Sequence, residues 1–129
     1  IGLDVTLKAL LKSETMTTLS NMNHTGQMLM QLFSYYGDGS MQAGKPMHDV
    51  NTLFYLLAPE KFTLQDYWVD VVTDGPAIGA TVADIHARTH QTTNIHVAMA
   101  VDVAAFNAWY LLEINKINDG MVNAGKLEN

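Results

Sequence analysis

The chain contains no cysteine, and its 129 residues hold only 7 lysines and arginines against 13 aspartates and glutamates. The absence of cysteine excludes a disulfide framework and thiol chemistry, and it is compatible with a cytoplasmic protein. The net charge of −6 comes without any basic cluster, so a nucleic-acid partner is not expected. No apolar run approaches the roughly 18 residues that a membrane span needs, so we expect no membrane partner.

The first residues, 1–5, include neither an initiating methionine nor the basic and apolar regions of a signal peptide. We therefore expect a processed or cleaved product. What the chain does contain is typical of a globular protein, with 48% hydrophobic and 16% charged residues. Its length is sufficient for one domain with a core.

The first half of the chain is predicted to be mainly helical. The alternation of Ile1, Leu3 and Val5 predicts a strand over residues 1–6. Asn23 is expected to cap a helix that runs to about residue 36. A further apolar helix is predicted from His48 to the residue before Pro59.

The second half predicts three strands and a helix. Strands are expected over residues 67–72, 80–85 and 95–101, and their short connections favour antiparallel pairing. Asp102 is expected to cap the last helix. This order predicts an α+β arrangement, or the end of a larger α/β protein, with a domain over residues 1–118 and a polar tail over 119–129.

The segment Gly44-Lys45-Pro46-Met47-His48-Asp49 delivers a histidine and an aspartate to the start of a helix. One interpretation is structural: an aspartate that interacts with the positive helix end, beside a surface histidine. The other is functional, because His48 has the chemistry of a general acid and Asp49 that of a ligand for a hard metal ion. The residues alone leave both interpretations open.

Other polar residues give weaker signals. Gln31 and Tyr35 lie one helical turn apart, next to Tyr36, and these side chains suit either the recognition of a flat polar ligand or ordinary packing at a helix end. His86 and His90 have the i, i+4 spacing of a zinc site, but without a third ligand we interpret them as loop residues. His96 is expected to face solvent or a partner strand.

Taken in order, these segments resemble the C-terminal part of the inosine–uridine-preferring nucleoside hydrolases. The resemblance starts at Gly2-Leu3-Asp4-Val5-Thr6, is strongest at Gly44–Asp49, and reaches about residue 117. Its remaining motifs are Leu56-Leu57-x-Pro59, Tyr67-Trp68-Val69-Asp70-Val71, Gly79-x-Thr81-Val82-x-Asp84 and the segment 97–106.

The resemblance implies the C-terminal portion of a Rossmann-like α/β fold and the hydrolysis of ribonucleosides to free base and ribose. It further implies that Asp49 is a ligand of Ca²⁺, that His48 protonates the departing base, and that Tyr35, Tyr36 and Gln31 contact that base. A cytoplasmic role in nucleoside salvage and a homo-oligomer are also implied. Purine and pyrimidine preference both remain open.

The family's N-terminal Asp-x-Asp-Pro-Gly-x-Asp-Asp cluster is absent from this chain. Because one carboxylate cannot hold Ca²⁺ tightly, we expect an incomplete site that needs the N-terminal part, or another chain with that part of the fold. The alternative is a non-catalytic remnant that binds a nucleoside or a protein partner. An unrelated small α+β domain is the third interpretation.

Overall fold

The computed structural model describes residues 1–35 and 44–123, with side chains to residue 117. Five α-helices, six short strands and one 3₁₀ turn make up this part of the chain. In order they are α1 (Leu3–Thr6), β1 (Leu10–Leu11), α2 (Ser13–Met22), α3 (His24–Ser34), β2 (Lys45–Pro46), α4 (Val50–Leu57), the 3₁₀ turn Pro59–Lys61, β3 (Phe62–Tyr67), β4 (Val69–Val71), β5 (Thr81–Ala83), β6 (Ile95–Val101) and α5 (Val103–Asn123).

The predicted strand over residues 1–6 is wrong, because the structure has the helical turn α1 there. The backbone N–H groups of Val5 and Thr6 both donate to the Gly2 carbonyl, each at 3.1 Å. These local bonds satisfy the backbone without a neighbouring strand. Val5 is only 1% exposed, so the apolar residue that suggested a strand packs into the core from a helix.

The predicted helices are present. Asn23 caps α3 as expected, because its side-chain oxygen accepts a hydrogen bond from the N–H of Gly26 at 2.8 Å. α4 ends before Pro59, which begins the 3₁₀ turn. α5 runs to Asn123 and so passes the boundary at residue 118 that the sequence suggested.

The strands pair antiparallel, as predicted, but they form separate two-stranded sheets rather than one three-stranded segment. β1 pairs with β2, β3 with β6, and β4 with β5. The predicted strand over 67–72 is divided at Trp68, and β3 already begins at Phe62. The pairing partner changes at Trp68, since Tyr67 pairs with β6 and Val69 with β5. The Asn94 side chain bonds both the N–H and the carbonyl of Val69.

The core is organised around Phe54 of α4. Its ring centroid lies 5.6 Å from Phe62, 5.6 Å from Phe106 and 5.0 Å from Trp109. Phe54 thereby joins three elements, α4, β3 and α5. Burying such a ring contributes about 1.5–3 kcal/mol, so the helix that follows His48 and Asp49 is firmly attached to the rest of the protein.

Asn107 fastens α5 to the beginning of the chain. Its oxygen accepts a hydrogen bond from the N–H of Lys12 at 2.9 Å, and its amide nitrogen donates to the carbonyls of Leu10 and Val103. Since Asn107 is buried, losing these bonds would leave unsatisfied polar groups, each worth about 1–3 kcal/mol. These bonds fix β1, the strand with which β2 pairs.

Apolar side chains remain exposed on several elements. On α4 these are Leu53, Leu56 and Leu57. Two adjoining grooves share Ile1 and His96 as lining residues. Exposed apolar surface of this extent is typical of a contact site for further polypeptide. None of the helices within the described residues has the length and apolar character to cross a membrane.

A loop between β5 and β6 is organised around the Asp84 carboxylate. It accepts hydrogen bonds from the Thr89 hydroxyl at 2.7 Å and from the backbone N–H groups of Arg88, Thr89 and His90. The Thr89 hydroxyl, followed by the Arg88, Thr89 and His90 amides, holds the pKa of Asp84 well below its ordinary value of 3.8. Ionised Asp84 therefore favours the folded loop.

Replacing Asp84 should make the free energy of unfolding less dependent on pH in the acidic range. Because folding lowers the pKa of Asp84, its contribution is complete above pH 3.8 and is lost as the pH falls below that value. Asp84→Asn should unfold at lower urea concentration than the wild type at about pH 7, and this difference should shrink toward about pH 3. Asp74→Asn, in an exposed turn, is the control. A difference that stays constant over this range would contradict the assignment.

Candidate active site

A short backbone pairing places the Gly44–Asp49 segment. Leu10 lies opposite Pro46 and Leu11 opposite Lys45, and the N–H of Met47 donates to the carbonyl of Ala9 at 3.2 Å. The pairing begins at Gly44, whose φ is +92°. A Cβ at Gly44 would lie 2.6 Å from the Leu11 carbonyl oxygen, so only glycine permits this approach.

His48 is exposed, but one edge of its ring contacts the protein through Nδ1. Its Nδ1 lies 2.8 Å from the hydroxyl oxygen of Thr6, which is buried at the end of α1. No hydrogen bond within the described residues involves Nε2. The contact joins residues that are 42 positions apart and fixes the ring at the surface.

Asp49 occupies the N-cap position of α4, yet its side chain does not cap the helix. It is the backbone carbonyl of Asp49 that accepts bonds, from the N–H of Thr52 at 3.0 Å and from the Thr52 hydroxyl at 2.6 Å. Among the residues that the structure describes, the Asp49 carboxylate has no hydrogen bond or ion pair. Asp49 is therefore not a side-chain cap, and both interpretations of this residue, the interaction with the positive helix end and the metal ligand, stay predictions.

Asn51 stabilises the turn from the interior of the protein. Its side chain is fully buried, at 0% exposure, and its amide nitrogen donates to the carbonyl of Met47. The amide oxygen of Asn51 has no partner among the described residues. Asn51 thus holds the peptide immediately before His48. Together with Thr6 it is a residue that sequence reasoning missed, since neither belongs to a recognisable spacing pattern.

The residues expected to contact a base are not joined to this pair in the part of the chain described. Tyr35 is 87% exposed at the C-terminal end of α3, and Gln31 is exposed on the same helix. No hydrogen bond or ring contact between described residues connects either to His48 or Asp49. Tyr36 lies outside the described residues. The base-contacting roles of Tyr35, Tyr36 and Gln31 stay predictions.

The other histidines have structural surroundings. His90 stacks on Trp68 with ring centroids 4.1 Å apart, and His86 precedes it in the loop between β5 and β6, as expected for loop residues. His96 is exposed and bonds Asp66 on the partner strand β3, also as expected. Within residues 1–35 and 44–117 no three His, Asp or Glu side chains are grouped to hold a metal ion.

The arrangement can therefore act on a ligand from two adjacent groups. His48 and Asp49 are adjacent, exposed residues just before α4, so the imidazole and the carboxylate can contact different parts of one molecule. One group can deliver a proton and the other can bind a cation or a hydroxyl group. Both side chains are exposed, so both are accessible from solvent.

Comparison with a solved structure defines the class of this fold. A purine-preferring ribonucleoside hydrolase from Gardnerella vaginalis superposes with a TM-score of 0.74 over 91% of this chain and 39% of that chain, at 24% sequence identity. The protein therefore has the fold of the corresponding part of a ribonucleoside hydrolase. The α/β classification predicted from the sequence is confirmed.

Sequence comparison then gives the family. The family model described as inosine-uridine preferring nucleoside hydrolase matches residues 1–108, and the chain belongs to this family. It is 49% identical over 109 residues to the non-specific ribonucleoside hydrolase RihC of Salmonella schwarzengrund. It is 47% identical over the same length to RihC of Klebsiella pneumoniae subsp. pneumoniae.

The matches cover 84% of this chain but only 36% of either RihC protein. The chain thus spans about a third of the length of the curated relatives that it matches, and it corresponds to their C-terminal part. The predicted resemblance to the C-terminal part of this family is confirmed.

Gly44→Ala should displace the segment that carries His48. The added Cβ would clash with the Leu11 carbonyl oxygen, and the residue would also be strained by its positive φ. We expect the clash to lower the free energy of unfolding by about 1–3 kcal/mol beyond the effect of the strain. Gly79→Ala is the matched control, because Gly79 has φ +86° and open space around its Cβ position. Urea unfolding measures the two costs, and amide exchange at Met47 reports the pairing. Equal effects of the two variants would contradict this account.

Proposed function

We propose that this chain forms one side of the active site of a nucleoside N-ribohydrolase, which converts ribonucleosides to free base and ribose. The observation that carries the proposal is the His48–Asp49 pair at the start of α4. The protein holds both residues by their backbone and by Nδ1 of His48, and it leaves the Asp49 carboxylate and Nε2 of His48 uncommitted. Membership of the nucleoside hydrolase family supports the choice of substrate class.

The chemistry assigns a different task to each group. Breaking an N-ribosidic bond builds positive charge on the sugar and negative charge on the departing base, as in other glycoside hydrolyses. In our proposal His48 donates a proton to the base, which makes it a better leaving group. Asp49 acts at the ribose end, through a cation. Tyr35, Tyr36 and Gln31 are proposed to contact the base.

The cation we propose is Ca²⁺, and we judge its fit from the ligand atoms that the described residues provide. Asp49 suits the role, because its carboxylate oxygens are hard ligands that no side chain or amide of the described residues occupies. Ca²⁺ takes six to eight oxygen ligands, and the described residues offer no group of three acidic or histidine side chains. Asp49 would therefore be one ligand among several, with the others outside the described residues. When bound, the ion would orient the ribose hydroxyls and acidify a water molecule.

The missing ligands, in our proposal, come from a polypeptide equivalent to the N-terminal part of the relatives. The exposed apolar residues of α4 and the grooves beside Ile1 and His96 offer a surface on which such a part can pack. We include in the proposal a homo-oligomeric assembly and a role in cytoplasmic nucleoside salvage. The lack of cysteine is compatible with that location.

A fusion tests the proposal directly. The part of Salmonella schwarzengrund RihC that this chain does not match is joined to residues 1–129, and hydrolysis of uridine and inosine is measured with added Ca²⁺. The fusion should release ribose from at least one substrate, whereas the 129-residue chain should release none. A fusion that melts cooperatively yet cleaves neither substrate would overturn the proposal.

In this fusion His48→Gln should lower kcat about 10²–10⁴-fold, the usual contribution of a positioned general acid. KM should change little, because the proton is transferred only as the bond breaks. His86→Gln is the matched control, since His86 is an exposed histidine in the loop between β5 and β6. A His48→Gln fusion with unchanged kcat would exclude His48 as the acid.

Asp49→Ala should weaken Ca²⁺ binding to the fusion, as measured by titration calorimetry, and activity should be lost in parallel. Asp74→Ala, which removes another exposed carboxylate, should leave both unchanged. If Asp49→Ala affected neither property and nucleoside binding persisted, the non-catalytic binding role would be favoured over catalysis. Titration calorimetry measures the loss of Ca²⁺ binding, and circular dichroism shows whether the variant is still folded.

A further inference from the structure

Thr6 faces His48 from α1, and nothing in the sequence pattern marks it as a functional residue. The side chain is 5% exposed, so its hydroxyl proton is shielded from water. A buried hydroxyl that lacks an acceptor is costly, so its proton must be donated to a protein atom. The question is which atom receives it.

Threonines in helices commonly donate to the carbonyl four residues before them. For Thr6 that carbonyl belongs to Gly2, which already accepts from the backbone N–H groups of Val5 and Thr6. Within the described residues the Thr6 hydroxyl makes one hydrogen bond, to Nδ1 of His48 at 2.8 Å. Donation of the hydroxyl proton to Nδ1 of the neutral ring is the arrangement that satisfies the hydroxyl.

An imidazole nitrogen that accepts a hydrogen bond carries no proton. The neutral ring of His48 must then carry its proton on Nε2, since one nitrogen of a neutral imidazole is a donor and the other an acceptor. Nε2 has no hydrogen bond within the described part of the chain, and the side chain is exposed. The Nε2–H group consequently points away from the protein as a free donor.

We propose that Thr6 is a positioning residue: its hydroxyl holds the His48 ring by Nδ1, sets the Nε2–H tautomer of the neutral ring, and directs Nε2 toward the departing base. This rests on the proposed function, in which His48 is the proton donor. A threonine hydroxyl can set tautomer and ring orientation without adding a negative charge beside the ring, as a carboxylate partner would. In the imidazolium that delivers the proton, Nδ1–H instead donates to the Thr6 oxygen, so the contact orients the ring in both states.

Two variants separate the hydroxyl from the shape of the side chain. Thr6→Val keeps the branched shape and removes the hydrogen bond, whereas Thr6→Ser keeps the hydroxyl and removes a methyl group. Nitrogen NMR of the histidine rings, with the chain labelled at histidine, reads the state of each nitrogen. His48→Gln identifies the His48 signals by their disappearance. Spectra of the 129-residue chain and of the fusion are recorded at about pH 8, where an ordinary imidazole is neutral.

The wild type should show an unprotonated Nδ1 shifted by an accepted hydrogen bond and a protonated Nε2. Thr6→Ser should keep this pattern. Thr6→Val should lose the hydrogen-bond shift at Nδ1. It should lower kcat of the fusion about 10–100-fold, as removal of the hydrogen-bond partner of a functional histidine typically does, with little change in KM.

A protonated Nδ1 in the wild type, or ring signals that are identical in Thr6→Val, would overturn the proposal. A Thr6→Ser fusion as slow as Thr6→Val would also overturn it, since the hydroxyl would then not be the cause. The spectra do not depend on hydrolysis. An inactive fusion would therefore contradict the proposed function, and the NMR result would still decide the tautomer.

Discussion

The antiparallel contact between Leu10–Leu11 and Lys45–Pro46 is the constraint on which the rest of the structure depends. It is only two residues long in each strand, but it joins the beginning of the chain to the segment that carries His48 and Asp49. Asn107 secures one side of the contact from α5, and Gly44 allows the other side to approach. Without this contact neither the Met47 peptide nor Thr6 would be in place to orient His48.

The site was partly predictable from the sequence, because some of its determinants are local. Glycine, proline and the adjacent His48 and Asp49 indicate a turn that enters a helix, and the structure has this turn and helix. Thr6 could not be found in the same way, since 42 residues separate it from His48 and a single threonine carries no signal. Asn51 is equally silent, because a polar residue in a helix is ordinarily expected at the surface.

The fold was predictable where hydrophobic periodicity and capping decide the outcome, as in α3 and α5. It was not predictable where tertiary contacts override a local pattern. Ile1, Leu3 and Val5 alternate as in a strand, but the Gly2 carbonyl closes a helical turn around them. The pattern over 67–72 similarly predicts a continuous strand, yet the pairing partner changes at Trp68 from β6 to β5. The side chain of Asn94, far along the chain, bonds the Val69 backbone there.

The aromatic cluster around Phe54 has a consequence for how such a site can open. Phe54 follows Asp49 by about one and a half helical turns, and its ring is wedged among Phe62, Phe106 and Trp109. Any tilt of α4 would have to unpack these rings, which is energetically unfavourable in a well-packed interior. His48 and Asp49 therefore lie at the start of a firmly packed helix, and any movement that changes access to them must come from whatever faces them.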